Sequence, residues 1–169
     1  MKSTWRLVIA PRHLTYLNEI DALLEKHSLR DIGDQDAPGV TIVRDMGVLM
    51  RYYQTASIAI VGGSYIEHGG QNPLEPASFA IPVIMGLSTY NFEQPVARLK
   101  ACGALKQTSD IPSALSLASM WMSDSEMATK AQLGARDCMQ EFATVKDQYI
   151  DKFEVILGEI KHRDALCTT

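Results

Sequence analysis

Five short apolar runs alternate along the chain with segments of helical character, and this alternation constrains the fold more than any other feature. It predicts an α/β fold, with a parallel sheet whose strands are joined by right-handed helical crossovers. Ligands bind such sheets beyond the carboxyl ends of the strands, so the loops that follow the runs are the candidate binding segments. The predicted strands are residues 5–10, 40–44, 58–61, 82–85 and 104–107, and the predicted helices between them are residues 14–27, 46–55, 73–80 and 92–102.

The length and composition of the chain predict one globular domain. With 169 residues, 46% of them hydrophobic and 21% charged, the chain can bury a core of ordinary size. Long helices are predicted from about residue 109 onward, over residues 111–122 and 124–162, with Ser123 or Asp124 as the cap between them. Because no linker or low-complexity segment divides the chain, residues 1–169 are expected to form a single domain.

The charge, the cysteines and the start of the chain exclude several classes of protein. A formal charge of -4 at pH 7 gives no general attraction to nucleic acid or anionic lipid, so no nucleic-acid partner is expected. The three cysteines, Cys102, Cys138 and Cys167, indicate reduced thiols in a cytoplasmic protein, because they are odd in number and far apart. No metal-ligand spacing is present, and no metal is expected. The apolar run at the start soon meets Pro11 and Arg12, so we expect neither a signal peptide nor a membrane span.

Residues 61–77, with the sequence VGGSYIEHGGQNPLEPA, join a predicted strand to a predicted helix. The glycine pairs Gly62-Gly63 and Gly69-Gly70 permit torsions and close approaches that side chains would exclude. Free backbone N–H groups and the helix dipole favour an anion at the start of the helix. The stretch therefore predicts a site for a phosphate group.

Polar side chains within this stretch extend the prediction from phosphate to sugar. Asn72 is placed to cap the helix, with Pro73 in its first turn. Glu75 either interacts with the helix dipole or accepts hydrogen bonds from two adjacent ribose hydroxyls. His68 could donate to a phosphate or merely order the loop. A plain glycine-rich turn is the alternative, but the clustering of these side chains with Ser64 between two glycine pairs favours a ligand site.

The loops after the other predicted strands supply further candidates. Arg12 and His13 follow the first strand at the same predicted edge of the sheet; an arginine offers phosphate a bidentate contact, whereas His13 is as readily a structural hydrogen-bonding residue. Met46 and Gly47 follow the second strand and could frame a base, although a plain turn explains Gly47 equally well. Asn91 follows the fourth strand and could close over a sugar or simply cap a helix.

Four segments of the chain together have a pattern found in a known family. They are APRH at 10–13, DMG at 45–47, VGGSYIEHGGQNPLEPA at 61–77, and PVIMG with TYNF within 82–92, of which the third is highly specific. In this order they resemble the C-terminal half of the Kdo transferases, enzymes that move the acidic sugar Kdo (3-deoxy-D-manno-octulosonic acid) from its CMP-linked donor to lipid A precursor. The resemblance covers nearly the whole chain and implies the Rossmann-like C-terminal half of a glycosyltransferase B fold, which binds the donor without a metal in lipopolysaccharide biosynthesis.

The resemblance also implies roles for individual residues. Arg12 would bind the phosphate of CMP. Met46 and Gly47 would border the cytidine, and Glu75 would hold the ribose hydroxyls. The remaining residues expected to contact or support the donor are His13, Gly63, Ser64, His68, Gly69, Gly70, Asn72 and Asn91.

Two departures separate this chain from the family pattern. Val48 stands where the family usually has a glutamate, although the later tyrosine survives as Tyr53. The N-terminal half of the family, with its membrane anchor, acceptor surface and carboxylate base, is expected to lie outside these 169 residues. Neither Glu67 nor His68 is a convincing substitute for that base, so the isolated chain should have little or no transferase activity. Full-length members of the family sit on the cytoplasmic face of the bacterial inner membrane.

Two other functions remain open at this point. The glycine loop and Glu75 recognise phosphate and ribose more than a base, so a UDP-sugar transferase or epimerase is the alternative among enzymes. Val48 and the missing half suggest the other alternative, a non-catalytic domain that binds a nucleotide or docks to a partner.

Overall fold

The computed structural model describes residues 5–33 and 37–166. The chain divides into two compact units, residues 1–56 and 57–169, and each is described here by itself. Both units contain parallel strands and helices, which confirms the predicted α/β class. The prediction that residues 1–169 form a single domain stays a prediction.

The first unit is built on two parallel strands. Strand β1 (Arg6–Ile9) pairs with β2 (Gly39–Ile42) over four residue pairs. Between them lie a 3-10 helix, Leu14–Tyr16, and helix α1, Leu17–Lys26. A small core forms where Leu24 of α1 packs against β2. The unit ends with a short helix α2, Leu49–Tyr53, which covers only the middle of the predicted helix 46–55.

An ion-pair network ties the turn at Asp31 to the end of β2. The Asp31 carboxylate accepts hydrogen bonds from the N–H groups of Gly33 (2.9 Å) and Ile42 (3.2 Å) and from Arg44 (3.1 Å). Arg44 also donates to Asp21 of α1. Burial acts to raise the pKa of Asp31, but these donors outweigh it and hold that pKa below its ordinary value of 3.8. Residues 34–36, between this turn and β2, lie outside the described residues.

The lowered pKa of Asp31 predicts an acid-sensitive contribution to stability. A carboxyl whose pKa is lower in the folded state contributes fully above its unfolded pKa, and the contribution is lost as pH falls through the folded pKa. Urea unfolding of Asp31→Asn should therefore show lower stability than the wild type at neutral pH, with the difference shrinking below about pH 4. Asp45→Asn, at an exposed position in the same unit, is the control. A difference that is constant down to about pH 2 would contradict the assignment.

The second unit is built on three parallel strands in the order β3-β4-β5. Helix α3 (Leu74–Ser78) connects β3 (Ala59–Val61) to β4 (Val83–Met85), and helix α4 (Glu93–Ala101) connects β4 to β5 (Leu105–Gln107). Helices α5 (Ile111–Ser123) and α6 (Ser125–Leu166) follow. All five strands predicted for the chain are present within two residues of their expected bounds.

The alternation of side chains along β4 separates two apolar clusters. Val83 and Met85 belong to a cluster with residues of α3, α4 and α6. Ile84 belongs to a second cluster with Trp121 of α5 and Ala131 of α6. Because all three strand residues are fully buried, β4 is covered on both faces, as is typical of parallel sheets.

Aspartates cap both C-terminal helices. The side chain of Asp110 accepts the N–H of Ser113 at 2.7 Å in the first turn of α5. Asp124 accepts the N–H groups of Glu126 and Met127, each at 3.0 Å, in the first turn of α6. Asp124 is therefore the cap, of the two residues predicted. Helix α6 continues without a break past Gly134, and no helix among the described residues is long and apolar enough to cross a membrane.

Gly134 allows α6 to pack directly against the backbone at the end of α4. A Cβ atom at this position would collide with the carbonyl oxygen of Cys102. Cys138, one turn further along α6, is fully buried in the apolar cluster that contains Val83 and Met85. Burial beside Cys102 raises the pKa of its thiol to about 12. The glycine thus sets how closely α6 approaches the core.

Gly134→Ala should destabilise the protein. Helix propensity alone would stabilise the variant by about 1 kcal/mol, but the collision with the Cys102 carbonyl should outweigh this and lower the free energy of unfolding by about 1–3 kcal/mol. Urea denaturation measures the difference, with Gln132→Ala on the exposed face of α6 as the control. Equal or greater stability of Gly134→Ala would contradict the close approach.

Candidate functional site

Two loops meet at the carboxyl edge of the three-stranded sheet. The first, residues 62–72, follows β3 and is called the glycine loop; the second, residues 86–91, follows β4 and is called the β4 loop. Together with the first turn of α3 they contain most of the residues predicted to bind a donor. These residues are Gly63, Ser64, His68, Gly69, Gly70, Asn72, Glu75 and Asn91.

Gly69 and Gly70 are required by both torsion and space. Their φ angles are 77° and 75°, in the left-handed region that side chains disfavour. A Cβ at Gly69 would lie 2.6 Å from the ring of Tyr90 and also against the amide of Asn91. The second glycine pair therefore lets the glycine loop pack against the β4 loop, which is an internal reason for these glycines.

The buried side chain of Ser64 links the glycine loop to the β4 loop through hydrogen bonds. Its side chain is fully buried, and its hydroxyl donates to the carbonyl of Val61 (2.7 Å) and accepts the N–H of Gly86 (2.8 Å). A Cβ at Gly86 would collide with the Ser64 carbonyl. The hydroxyl is therefore part of the scaffold, and a contact of Ser64 with a ligand stays a prediction.

Ser64→Ala should cost about 1–3 kcal/mol of unfolding free energy, since it leaves the Gly86 N–H and the Val61 carbonyl without their buried partner. Chemical denaturation gives the value. Ser78→Ala is the matched control, because that hydroxyl also donates to a backbone carbonyl, that of Glu75, but at an exposed position. Losses of similar size in the two variants would be inconsistent with a buried bridge at Ser64.

Four further hydrogen bonds join the loops. The N–H of Gly69 donates to the Ser88 hydroxyl (3.1 Å), and the N–H of Ser88 donates to the Ser64 carbonyl (3.0 Å). Asn91 donates from its backbone to Gly69 (3.2 Å) and from its side-chain amide to the carbonyl of His68 (3.1 Å). The residue at the cap position of α4 is Phe92, and the Asn91 amide donates to His68, so the helix-cap alternative for Asn91 is not supported.

Asn72 is the last residue of the glycine loop, and Glu75 lies in the first turn of α3. The side-chain oxygen of Asn72 accepts the N–H of Leu74 at 3.0 Å, which confirms its predicted capping role. Its amide donates to Oε1 of Glu75 at 3.3 Å. The helix has only five residues, so its dipole contributes less than a longer helix would. The start of α3 is therefore a weak candidate for an anion site.

The Glu75 carboxylate is half-buried. Within the described part of the chain, no cation pairs with it, and no protein donor reaches its second oxygen, Oε2. A carboxylate in this state repels phosphate and attracts neutral donors such as hydroxyl groups. Glu75 is therefore suited to a sugar.

The outer surface of the loops is partly apolar. Ile66 and Leu87 are each 67% exposed, and Tyr90 is 60% exposed. His68 of the glycine loop is also exposed.

The other predicted residues belong to the first unit. Arg12 and His13 follow β1 and are exposed, with the His13 ring edge-on to Tyr16 at a centroid distance of 6.3 Å. Met46 is 69% exposed after β2, and Gly47 has a φ of 81° that favours glycine. The tight turn considered for Gly47 is thus present, while a contact of these four residues with a donor stays a prediction.

Sequence reasoning missed the residues at the end of β5 that touch both loops. Gln107 donates to the Gly86 carbonyl (3.0 Å), and the Thr108 hydroxyl shares a hydrogen bond with the Tyr65 hydroxyl (3.0 Å). Burial raises the pKa of Tyr65. Only the position of Gln107 at the carboxyl end of a predicted strand could have signalled its role.

No group of three or more His, Cys, Asp and Glu residues able to hold a metal ion is found in the described ranges. The metal-free expectation is not tested by this finding and stays an expectation.

Comparison with known proteins gives several matches among transferases. The chain is 40% identical over 94 residues to the 3-deoxy-D-manno-octulosonic acid transferase of Haemophilus influenzae, covering 52% of this chain and 22% of that protein. It is 30% identical over 159 residues to the transferase of the same name from Bordetella pertussis, covering 90% of this chain and 37% of that protein. The chain thus spans less than two fifths of the length of these curated relatives. No family model matches it.

A solved structure shares the fold. It is the C-terminal CMP-Kdo binding domain of WaaA from Acinetobacter baumannii, which matches with a TM-score of 0.73 and 22% identity over 79% of this chain and 72% of that chain. At this identity the match shows the fold alone. It confirms the predicted Rossmann-like half of a glycosyltransferase B fold.

Proposed function

Because the chain belongs by sequence with the 3-deoxy-D-manno-octulosonic acid (Kdo) transferases, we propose that it is the part of such a glycosyltransferase that binds the donor, CMP-Kdo. The description of the solved neighbour as a CMP-Kdo binding domain supports this donor. The whole enzyme would transfer Kdo to lipid A precursor in lipopolysaccharide biosynthesis, at the cytoplasmic face of the inner membrane. The membrane anchor and the surface that binds the acceptor would belong to the N-terminal half.

The observation that carries the proposal is the half-buried Glu75 beside the glycine loop. Its free oxygen would accept hydrogen bonds from the ribose hydroxyls, while Asn72 holds the other oxygen in place. Gly63, Gly69 and Gly70 would shape the loop that lies against the phosphate and the sugar, together with the exposed side chain of His68. As the family resemblance implies, no metal would take part.

The reaction would be displacement at the anomeric carbon of the donor by a hydroxyl of the acceptor. The bond from that carbon to the phosphate oxygen breaks, and the donor half lowers the barrier by stabilising the negative charge that develops on CMP. A base must remove the proton of the acceptor hydroxyl, and the N-terminal half would supply it. The isolated chain should therefore bind donor and transfer little or none of it.

The family resemblance also implies donor contacts for four residues of the first unit. Arg12 and His13 would contact the phosphate, and Met46 and Gly47 would border the cytidine. Val48, at the start of α2, stands in place of the usual glutamate, and no acidic residue is present in the first turn of that helix. Binding of donor by the wild-type chain would show that the glutamate is dispensable.

CMP should bind the chain more tightly than its 2′-deoxy form, because Glu75 would engage both ribose hydroxyls. Glu75→Gln keeps the size of the side chain and an acceptor for Asn72 but loses the charge. It should weaken CMP binding about tenfold, the cost of a charge-assisted hydrogen bond, and should bind both nucleotides equally. Titration calorimetry measures all four affinities, and Glu67→Gln, exposed in the same loop, is the control.

Three results would count against parts of the proposal. Equal binding of UMP and CMP would favour a UDP-sugar enzyme. Unchanged discrimination between the two forms of CMP in Glu75→Gln would remove Glu75 from the ribose. If no nucleotide raises the thermal midpoint of the chain, the donor site itself is wrong and a partner-docking domain is favoured.

A further inference from the structure

Gln107 lies at the end of β5, where it uses all parts of its carboxamide within the second unit. In the sheet it pairs with Met85, the last residue of β4. Its Nε2 donates to the Gly86 carbonyl at 3.0 Å, with a longer contact of 3.5 Å to the hydroxyl of Thr89, and its Oε1 accepts from Lys100 at 2.7 Å. The side chain thus joins β5 and α4 to the β4 loop.

Gly86 links this contact to the glycine loop. Its carbonyl accepts from Gln107, while its N–H donates to the buried hydroxyl of Ser64. Gln107 and Ser64 therefore hold Gly86 through its carbonyl and its N–H group. A displacement of Gly86 that breaks one of these hydrogen bonds also disturbs the other. Ser88, two residues later in the β4 loop, carries the contacts to Gly69 and to the Ser64 carbonyl.

We propose that Gln107 is a positioning residue for the donor site: it holds the β4 loop in the place from which that loop shapes the glycine loop. The inference rests on the proposed donor-binding function. Gln107 acts through Gly86 and Ser64, and no direct contact with the donor is assigned to it. It would therefore control affinity for the nucleotide without recognising it.

The fold has other supports at this edge, so loss of Gln107 need not unfold the unit. The backbone N–H of Thr108 donates to the Met85 carbonyl at 2.9 Å, and the apolar clusters on both faces of β4 do not include Gln107. Removal of the carboxamide leaves these intact. It leaves the Gly86 carbonyl without its side-chain donor, which favours rearrangement of the β4 loop.

Three substitutions separate the donor group from the rest of the side chain. Gln107→Met keeps the length of the side chain and removes both hydrogen-bonding ends. Gln107→Glu keeps the acceptor for Lys100 and removes the donor to Gly86. Lys106→Met, at the neighbouring exposed position of β5, is the matched control.

Two measurements test each variant of the full chain. Amide hydrogen exchange should be at least about tenfold faster at Gly69 and Gly86 in both Gln107 variants, the effect of losing one hydrogen bond of ordinary strength. The affinity for CMP, measured by calorimetry, should fall by a similar factor. Amides in the interior of α5 should keep their exchange rates, and Lys106→Met should change neither quantity.

The outcomes are distinguishable from failure of the proposed function. If the wild-type chain binds no nucleotide, the donor assignment fails, while the exchange of Gly69 still shows whether Gln107 holds the loops. Wild-type exchange at Gly69 and Gly86 in Gln107→Met would overturn the positioning role. So would equal acceleration across α5, because that would indicate a general loss of stability. Wild-type behaviour of Gln107→Glu alone would overturn the role of the Nε2 donor.

Discussion

The hydroxyl of Ser64 is the contact on which the architecture of the candidate site depends. It bridges the end of β3 and the start of the β4 loop, because it donates to Val61 and accepts from Gly86. Both partners are backbone groups, so the bridge orients the two chain segments and not merely two side chains. Because the hydroxyl is fully buried, water cannot replace either partner, and loss of the contact leaves both unsatisfied.

The central strand explains why the two loops can act as one surface. Strand β4 is covered on both faces by apolar clusters, and it is hydrogen-bonded on both edges, to β3 and β5. The end of β4 is therefore rigid. Gly86, the next residue, is hydrogen-bonded to Ser64 through its N–H and to Gln107 through its carbonyl. If the site holds a flexible nucleotide sugar, as proposed, it benefits from such support, since less conformational entropy is lost when the donor binds.

The charge of Glu75 determines which group of a ligand it can bind. The carboxylate of Glu75 is half-buried and meets an amide, not a cation, so it favours neutral hydroxyl donors over phosphate. The N–H groups of Gly69 and Gly70 are buried and donate within the loops, so the second unit offers an acceptor for hydroxyl groups more clearly than a site for an anion. The chain covers 22% to 37% of the length of the two curated relatives.

The sequence by itself determined the strands, the capping of α3 by Asn72, a cap at Ser123 or Asp124 before α6, and the positions of the two loops. These follow from local patterns of apolar residues, glycines and side-chain oxygens. Only the tertiary structure decided that the Ser64 hydroxyl is occupied internally, that Asn91 binds the His68 carbonyl, and that Gln107 holds Gly86. Those contacts join residues up to 23 positions apart. They depend on the neighbouring order of β3, β4 and β5, which no local periodicity encodes.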